Sequence, residues 1–385
     1  IIVCEAGKPR SYAESEVSRC LSTIENAITH AKSFVGETVP IDFGAGEGKT
    51  AFTKRVPIGP ILCITPFNFP LNLVLHKVAP ALACGCSVIV KPAPQSPLSS
   101  LFLASLLEEV GYPAGVANFL LCNIPLAEEM VRDERIAMIS FTGSEKVGWY
   151  LKTICGMKKV ALELGGNAAV IIDENTDLAK IAKSVATGAF LYAGQICIST
   201  QRVFVLETIF EEFKEILIKE INQLSIGNPQ EPSTIIGPLI DKLHLNRIHQ
   251  WVTEAKNDGA TVLTGGDYED EKHNIYKPTL LTNTHSPMKV VVEEAFGPIA
   301  ILESVKTFDE AIDFVNDSKF GLQAGVFTNN FLNVKASHER LEVGAVIINN
   351  IPGFRIDSMP YGGVKMSGLG LSLIHISEPT RLGMI

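Results

Sequence analysis

The sequence predicts an α/β fold of two domains, each built on a doubly wound parallel sheet. The chain has 385 residues, of which 46% are hydrophobic and 19% are charged, so it can bury two separate cores. From residue 57 onward, short apolar runs alternate with stretches of helical spacing. The short runs are apolar throughout, which is typical of parallel strands covered by helices on both faces.

The first predicted sheet lies within residues 1–165. Its first strand is expected at 58–65, and the helix that follows at 71–85 should end at Gly85. The segment 39–57 precedes this strand and alternates only weakly, so we interpret it as an excursion outside both sheets. Further strands are predicted at 86–91, 118–122, 136–141 and 158–164, with helices at 98–110, 125–132 and 145–155.

The same pattern restarts in residues 166–366. A helix at 176–190 is predicted with Thr176 as its N-cap, and residues 210–224 show the apolar spacing of a packed amphipathic helix. The two domains should meet near residue 165, where a cleft is the default place for an active site. Further strands are predicted at 167–172, 201–207, 261–264, 299–304, 324–328 and 344–349.

Composition excludes several classes of function. The net charge is −9 without any block of Lys or Arg, so no nucleic-acid partner is expected. No apolar run reaches the ~18–20 residues of a membrane span. The start of the chain lacks the order of a signal peptide, and the cysteines form no CxxC pair, which together predict reduced thiols in the cytoplasm. The histidines show no ligand spacing, so no metal is expected.

Both ends of the sequence have an unusual character. The chain does not begin with methionine, and its last stretch, "LSLIHISEPTRLGMI" (371–385), differs abruptly from what precedes it. This stretch resembles the translation of a sequencing-library adapter, and a divergent native tail is the alternative. We therefore expect truncation at both ends and interpret 367–385 as a shortened C-terminal arm whose tail has no functional role.

One glycine-rich stretch invites a phosphate-binding interpretation. In "FGAGEGKT" (43–50), Gly48, Lys49 and Thr50 fit the end of the phosphate-loop motif of NTPases. Phe43 occupies the position of the first glycine, no apolar strand leads in, and no helical pattern follows. A mobile surface turn is the favoured interpretation.

Polar residues follow several predicted strands of the first sheet. Asn68 in "ITPFNFP" could donate to an oxyanion or belong to a turn, and Lys91 in "VKPAPQSP" could reach a ribose or simply extend to solvent. Gly143 and Ser144 in "SFTGSEKVG" open a helix whose backbone N–H groups suit a phosphate, although many strand–helix turns use such residues for geometry alone. Glu163 in "LELGGN" is a candidate general base, with a cap or salt bridge as alternatives.

These side chains should meet, because the carboxyl ends of parallel strands share one edge of the sheet. Cys197, in "GAFLYAGQICIST", follows in the second domain across the predicted cleft. On its own it is either a packed core thiol or a nucleophile.

Seven stretches taken together resolve that choice. In order and spacing, the chain resembles the aldehyde dehydrogenase superfamily over residues 1–370, in its lactaldehyde, glyceraldehyde-phosphate and semialdehyde branch. The stretches are "PFNFP", "KPAPQSP", "FTGSEKVG", "LELGGNAAVI", "GQICIS", "EEAFGPI" and "MPYGGVKMSGLG".

The resemblance implies a covalent mechanism. Cys197 would attack a small hydroxy- or semialdehyde, and the thiohemiacetal would become a thioester when hydride leaves. Asn68 and the backbone N–H of Cys197 would form the oxyanion hole, and Glu163 would activate the water that releases the acid.

The resemblance also implies NAD or NADP as cofactor, bound by residues 1–165, with residues 166–366 as the catalytic domain. The segment 39–57 would serve oligomerisation in a homodimer or homotetramer. The residues that match cofactor contacts in the family are Thr65, Pro66, Phe67, Lys91, Gly143, Ser144, Gly165, Glu294 and Phe296.

Three positions bear on specificity. NAD-preferring relatives commonly carry glutamate where this chain has Pro94, which leaves the choice between NAD and NADP open. Relatives with anionic substrates often carry arginine where this chain has Ile196, although Arg355 in "PGFRIDSMPYGG" could supply a cation or be structural.

A catalytically weak remnant that binds nucleotides or acts as a structural protein is the alternative function.

Overall fold

The computed structural model of the protein describes residues 1–372. Its helices are α1 (Ile2–Ala6), α2 (Arg10–Lys32), α3 (Asn72–Ala83), α4 (Leu98–Glu109), α5 (Ile124–Arg132), α6 (Glu145–Ile154), α7 (Leu178–Phe190), α8 (Glu207–Asn222), α9 (Lys242–Asn257), α10 (Lys289–Val292), α11 (Phe308–Asn316) and α12 (Phe331–Arg340). Its strands are β1 (Thr38–Val39), β2 (Ala51–Phe52), β3 (Ile61–Ile64), β4 (Val88–Lys91), β5 (Ala117–Phe119), β6 (Met138–Thr142), β7 (Lys159–Glu163), β8 (Ala168–Ile172), β9 (Thr200–Leu206), β10 (Thr261–Thr264), β11 (Tyr268–Asp270), β12 (Ile275–Tyr276), β13 (Thr279–Thr282), β14 (Ile299–Val305), β15 (Phe320–Gly321), β16 (Gln323–Phe327), β17 (Ala345–Ile348), β18 (Val364–Lys365) and β19 (Gly368–Leu369).

A six-stranded sheet brings the predicted site residues of the first half together. Its strand order is β19-β7-β6-β3-β4-β5, and β3 to β7 run parallel. In this register Ile64 pairs with Lys91 and with Phe141, and Thr142 pairs with Glu163. The carboxyl ends of four neighbouring strands therefore lie side by side, as the sequence predicted.

A seven-stranded sheet forms the second core, in the order β10-β13-β14-β9-β8-β16-β17. Its strands are parallel except for β10, which runs antiparallel to β13 at the edge. Every residue of β8 and β9 is buried, because α7 and α8 pack on one face and α11 on the other. The predicted α/β fold with two parallel sheets is confirmed.

Several local expectations differ from the structure. The N-cap of α7 is Asp177 rather than Thr176. The Asp177 carboxylate accepts a hydrogen bond from the Lys180 N–H, whereas the Thr176 hydroxyl donates to the Asp173 carbonyl. The strand predicted at 118–122 ends at Phe119, and the sequence reasoning missed α1, α2, α9, α10, α11 and α12 as well as β13 of the second sheet. Residues 373–385 of the adapter-like tail lie outside the described residues, so that interpretation stays a prediction.

The phosphate-loop interpretation is wrong. Residues 43–50 connect β1 to β2, which pair as an antiparallel hairpin, so the stretch leads into a strand and not into a helix. The Gly48 N–H is satisfied by the Asp42 carboxylate at 2.6 Å.

Within residues 1–372, no helix has the length and apolar character to cross a membrane.

Candidate active site

Two cavities meet at the predicted catalytic residues. The larger, of about 680 Å³, opens at the carboxyl ends of β3, β4, β6 and β7, and the smaller has about 190 Å³. The side chains that line both are Asn68, Leu73, Thr142, Glu163 and Cys197. A thiol, a carboxylate and an amide therefore stand between a large site and a small one.

The loop that carries Cys197 has an uncommon backbone. Tyr192, Ala193 and Gly194 follow one another with φ values of 51°, 53° and 68° in the left-handed region. Such a turn costs energy for the two non-glycine residues, and it is held by tertiary contacts. The fully buried Gln195 supplies several of these, since it donates to the Pro238 carbonyl at 3.2 Å and accepts from the Ile240 N–H at 2.9 Å.

Asn68 connects the first half of the chain to this loop. It lies in the segment between β3 and α3, is 3% exposed, and its Nδ2 donates to the Gln195 carbonyl at 2.8 Å. That bond uses one of the two amide protons and fixes the plane of the amide. The second proton is available to a ligand beside Cys197.

Glu163 lies at the end of β7, where Thr142 Oγ1 donates to its Oε2 at 3.1 Å. The two glycines that follow are needed for close approach. A Cβ on Gly165 would collide with the Glu294 carboxylate, and a Cβ on Gly166 would collide with the Cys197 carbonyl oxygen. The glycine pair in "LELGGN" thus allows the nucleophile loop to pack directly against the first sheet.

The surroundings of Cys197 favour its protonated form. Burial raises the pKa of the Cys197 thiol to about 11, against the opposing effect of a hydrogen bond with Tyr361. The carboxylates of Glu294 and Glu163 raise this pKa further, and the Arg355 guanidinium lowers it. At neutral pH the thiol is therefore protonated, and its attack on a carbonyl requires loss of that proton.

The structure brings all of the predicted cofactor-contacting residues into the larger cavity. Its lining includes Thr65, Pro66, Phe67, Lys91, Gly143, Ser144, Gly165, Glu294 and Phe296. The rings of Phe67 and Phe296 meet edge to face, with centroids 5.7 Å apart. The Gly166 N–H donates to Glu294 Oε1 at 2.9 Å, and burial raises the pKa of Glu294 to about 8.

This cavity fits a dinucleotide. Its volume lies within the range of about 300–1,000 Å³ that is usual for ligand sites. Ser144 makes no side-chain cap on α6, so the first N–H groups of that helix stay available for a diphosphate. Among the described residues, the buried Thr65 Oγ1 has no hydrogen-bond partner, as expected of a group that awaits a ligand.

Sequence reasoning missed several residues around the two cavities. His244, Arg247 and Trp251 of α9 line the larger one, and Lys8 and Arg19 line the smaller one. A signal for α9 existed, because its buried positions recur at helical spacing: Leu245, Ile248, Val252 and Ala255. Within residues 1–372, no three His, Cys, Asp or Glu side chains cluster as a metal site requires.

Comparison with known proteins identifies the family. A model of the aldehyde dehydrogenase family matches residues 1–377. The chain belongs to the aldehyde dehydrogenase family. This aldehyde dehydrogenase is 41% identical over 372 residues to a 3-sulfolactaldehyde dehydrogenase of Priestia aryabhattai, a match covering 96% of this chain and 77% of the relative.

Solved structures of aldehyde dehydrogenases have the same fold. Aldehyde dehydrogenase 21 from Physcomitrella patens, in complex with the reaction product succinate, is 38% identical with a TM-score of 0.94, covering 98% of this chain and 78% of that one. A glyceraldehyde-3-phosphate dehydrogenase from Methanocaldococcus jannaschii complexed with NADP is 36% identical with a TM-score of 0.92, covering 98% and 82%. The protein is an oxidoreductase that uses NAD or NADP to oxidise an aldehyde.

Gly194→Ala is expected to disrupt the nucleophile loop. A Cβ there would meet the Gly297 carbonyl oxygen while φ stays at 68°, so we expect a loss of about 3 kcal/mol or more in the free energy of unfolding. Denaturant unfolding measures it. Gly111→Ala is the control, because its φ is 74° and nothing lies within 4 Å of its Cβ. Equal losses in the two variants would contradict the packing argument.

Proposed function

We propose that this protein oxidises a short-chain aldehyde with a hydroxyl or anionic substituent to the carboxylic acid, with Cys197 as the nucleophile. One observation carries the proposal: Asn68, Glu163 and Cys197 line both cavities. A cofactor in the larger cavity and an aldehyde in the smaller one would meet at the sulfur. Residues 1–165 would then bind the cofactor, and residues 166–366 would supply the nucleophile.

Cys197 and Asn68 would perform the first step. The Cys197 thiolate adds to the carbonyl carbon, so that a C–S bond forms and the oxygen becomes an oxyanion. The free amide proton of Asn68 and the backbone N–H of Cys197 would donate to this oxygen. Each such donor stabilises the transition state by ~3–4 kcal/mol.

The larger cavity would hold the cofactor close to this carbon. Lys91 would bind the adenosine ribose, and Thr65 and Pro66 would approach the cofactor through their backbone. The start of α6 at Ser144 would bind the diphosphate, and Glu294 and Phe296 would position the nicotinamide riboside. When bound, NAD or NADP accepts the hydride that leaves the thiohemiacetal carbon. A thioester then remains on Cys197.

Glu163 would complete the reaction as general base. The Thr142 hydroxyl holds its Oε2, which leaves Oε1 to accept a proton from water. The water oxygen adds to the thioester carbonyl, and the C–S bond breaks with the thiolate as leaving group. Glu163 lies at the junction of both cavities, which supports its access to this carbon.

The smaller cavity supports a small substrate. An apolar cavity of about 150 Å³ holds benzene, so 190 Å³ suits an aldehyde of a few carbons. Arg355 lines this cavity, and among the described residues its Nε and Nη2 are buried without hydrogen-bond partners. Such a guanidinium suits a carboxylate or sulfonate on the substrate. The relative named for 3-sulfolactaldehyde and the succinate complex are consistent with this choice.

We further propose a homodimer or homotetramer in the cytoplasm. The segment 39–57, which holds most of the β1–β2 hairpin, exposes Phe43 and Phe52, which are 73% and 76% accessible, and such apolar groups suit a subunit interface. All eight cysteines are free, which is typical of the reducing conditions of that compartment.

Cys197→Ala is expected to abolish aldehyde oxidation. The measurement is the formation of reduced nicotinamide with neutral and anionic aldehydes, each with NAD and with NADP. Cys122→Ala, which changes a cysteine outside both cavities, should retain the activity of the wild-type protein. No turnover by the wild-type protein, with cofactor still bound, would favour a nucleotide-binding remnant instead.

Arg355→Gln is expected to lower kcat/KM for succinic semialdehyde by about 100-fold, since charge-assisted hydrogen bonds to the carboxylate are lost. For butyraldehyde, which lacks the charge, only the effect of Arg355 on Cys197 is lost, so the decrease should be smaller, within about tenfold. Arg135→Gln is the control, because this exposed arginine lines neither cavity. Equal losses for both aldehydes would refute binding of the substrate carboxylate by Arg355.

Pro94→Glu is expected to disfavour NADP. Pro94 lines the larger cavity, where a carboxylate would repel a 2′-phosphate and lower kcat/KM with NADP by about tenfold. The kcat/KM with NAD should not fall, since NAD has no 2′-phosphate for the carboxylate to repel. Pro94→Gln tests the same change of size without the charge, and a similar loss in that variant would refute the electrostatic argument.

A further inference from the structure

Tyr361 contacts the reacting sulfur. It lies in the loop between β17 and β18, and its hydroxyl oxygen is 3.3 Å from Cys197 Sγ. The side chain is 5% exposed and packs with Ile198 and Leu322 beside the nucleophile. The position of the hydroxyl is therefore fixed by packing on the ring.

The direction of this hydrogen bond depends on the state of the thiol. While Cys197 is protonated, either group can donate. Once the thiol ionises, the sulfur has no proton and only the phenol can donate. Burial raises the pKa of Tyr361 well above its usual value, so the phenol keeps its proton at neutral pH.

Arg355 strengthens this donor. Its guanidinium carbon lies 3.7 Å from the centre of the Tyr361 ring. A cation over the ring stabilises negative charge on the phenol oxygen, which makes the O–H a better donor. The Arg355 charge accordingly opposes the effect of burial on the pKa of Tyr361.

Three charged groups that act on Cys197 belong to separate parts of the chain. Glu163 ends β7 and Glu294 precedes β14, and both disfavour a thiolate, whereas Arg355, in the loop between β17 and β18, favours it. Tyr361 is the group in hydrogen-bond contact with the sulfur among the side chains described. A thiolate at Cys197 would therefore be stabilised by the hydrogen bond from the Tyr361 phenol and by the Arg355 charge, and destabilised by the two carboxylates.

We propose that Tyr361 is a catalytic residue whose hydroxyl donates a hydrogen bond to the Cys197 thiolate and so increases its population. The inference rests on the proposed role of Cys197 as nucleophile. The donor has two opposing consequences. It increases the thiolate fraction, while it lowers the nucleophilicity of each thiolate by a smaller factor, since nucleophilicity follows pKa with a coefficient of ~0.4–0.5. The net effect at neutral pH is a faster reaction.

Tyr361→Phe tests the proposal, because it removes the hydroxyl and keeps the ring under Arg355. Alkylation of Cys197 by iodoacetamide would be followed by peptide mass spectrometry from about pH 7 to about pH 11. Loss of a hydrogen bond to a charged group should raise the pKa of Cys197 by about one to two units, so the alkylation rate of the variant should still rise at the top of this range, where that of the wild-type protein begins to level off. At every pH below the pKa of Cys197, the variant should be alkylated about 3- to 10-fold more slowly than the wild-type protein.

Tyr276→Phe is the matched control. Tyr276 is also buried, and its hydroxyl contacts His249 Nδ1 at 3.3 Å, away from both cavities. This variant should alkylate at the wild-type rate. If Tyr361 served packing alone, removal of its hydroxyl would leave the rate of Cys197 alkylation unchanged, or would increase it by loosening the loop. Either result would overturn the proposal.

The experiment separates this inference from the proposed function, since alkylation requires neither cofactor nor turnover. If the wild-type protein oxidised aldehydes through Cys197 and Tyr361→Phe showed an unshifted pH profile, the inference alone would fail. If Cys197→Ala still oxidised aldehydes, the proposed nucleophile would be wrong, and with it the catalytic role of Tyr361.

Discussion

The direct approach of the Cys197 loop to the end of the first sheet determines the geometry of this site. Two contacts make that approach: the Asn68 amide donates to the Gln195 carbonyl at 2.8 Å, and the Cys197 carbonyl lies against Gly166. Both contacts are made to backbone carbonyls of the nucleophile loop, so they position its main chain against the sheet. The oxyanion donor and the nucleophile are consequently positioned by the same hydrogen bond.

This approach also affects the protonation of the thiol. Packing the loop against the sheet places Cys197 near Glu163 and Glu294 and removes water from the sulfur, and both effects disfavour a negative charge. The thiol is therefore largely protonated at neutral pH. Its ionisation must therefore be assisted, and Tyr361, in hydrogen-bond contact with the sulfur, and Arg355, over the Tyr361 ring, have the chemistry to do so.

Much of this site could be predicted from the sequence because parallel sheets concentrate function at one edge. Asn68, Lys91 and Glu163 each follow an apolar strand, and that position alone predicted that they would meet. The left-handed turn before Cys197 could not be predicted, since Tyr192 and Ala193 are not residues that favour positive φ. Tertiary contacts made by Gln195, far apart in sequence, impose it.

Tyr361 and Arg355 illustrate a second limit. They belong to a loop with no periodicity, and their importance arises only from distances to a cysteine more than 150 residues away. The N-cap of α7 shows the same on a small scale, because Asp177 and Thr176 are both good caps and only the observed hydrogen bonds distinguish them.

The central claim is that the substrate becomes covalently bound to Cys197. The most direct measurement is mass spectrometry of Glu163→Gln mixed with aldehyde and NAD or NADP, because hydrolysis should then be slow and the intermediate should accumulate. We expect an adduct on the peptide that contains Cys197, with the mass of the aldehyde less two hydrogens. Reduced nicotinamide formed without any adduct, or an adduct on another cysteine, would contradict it.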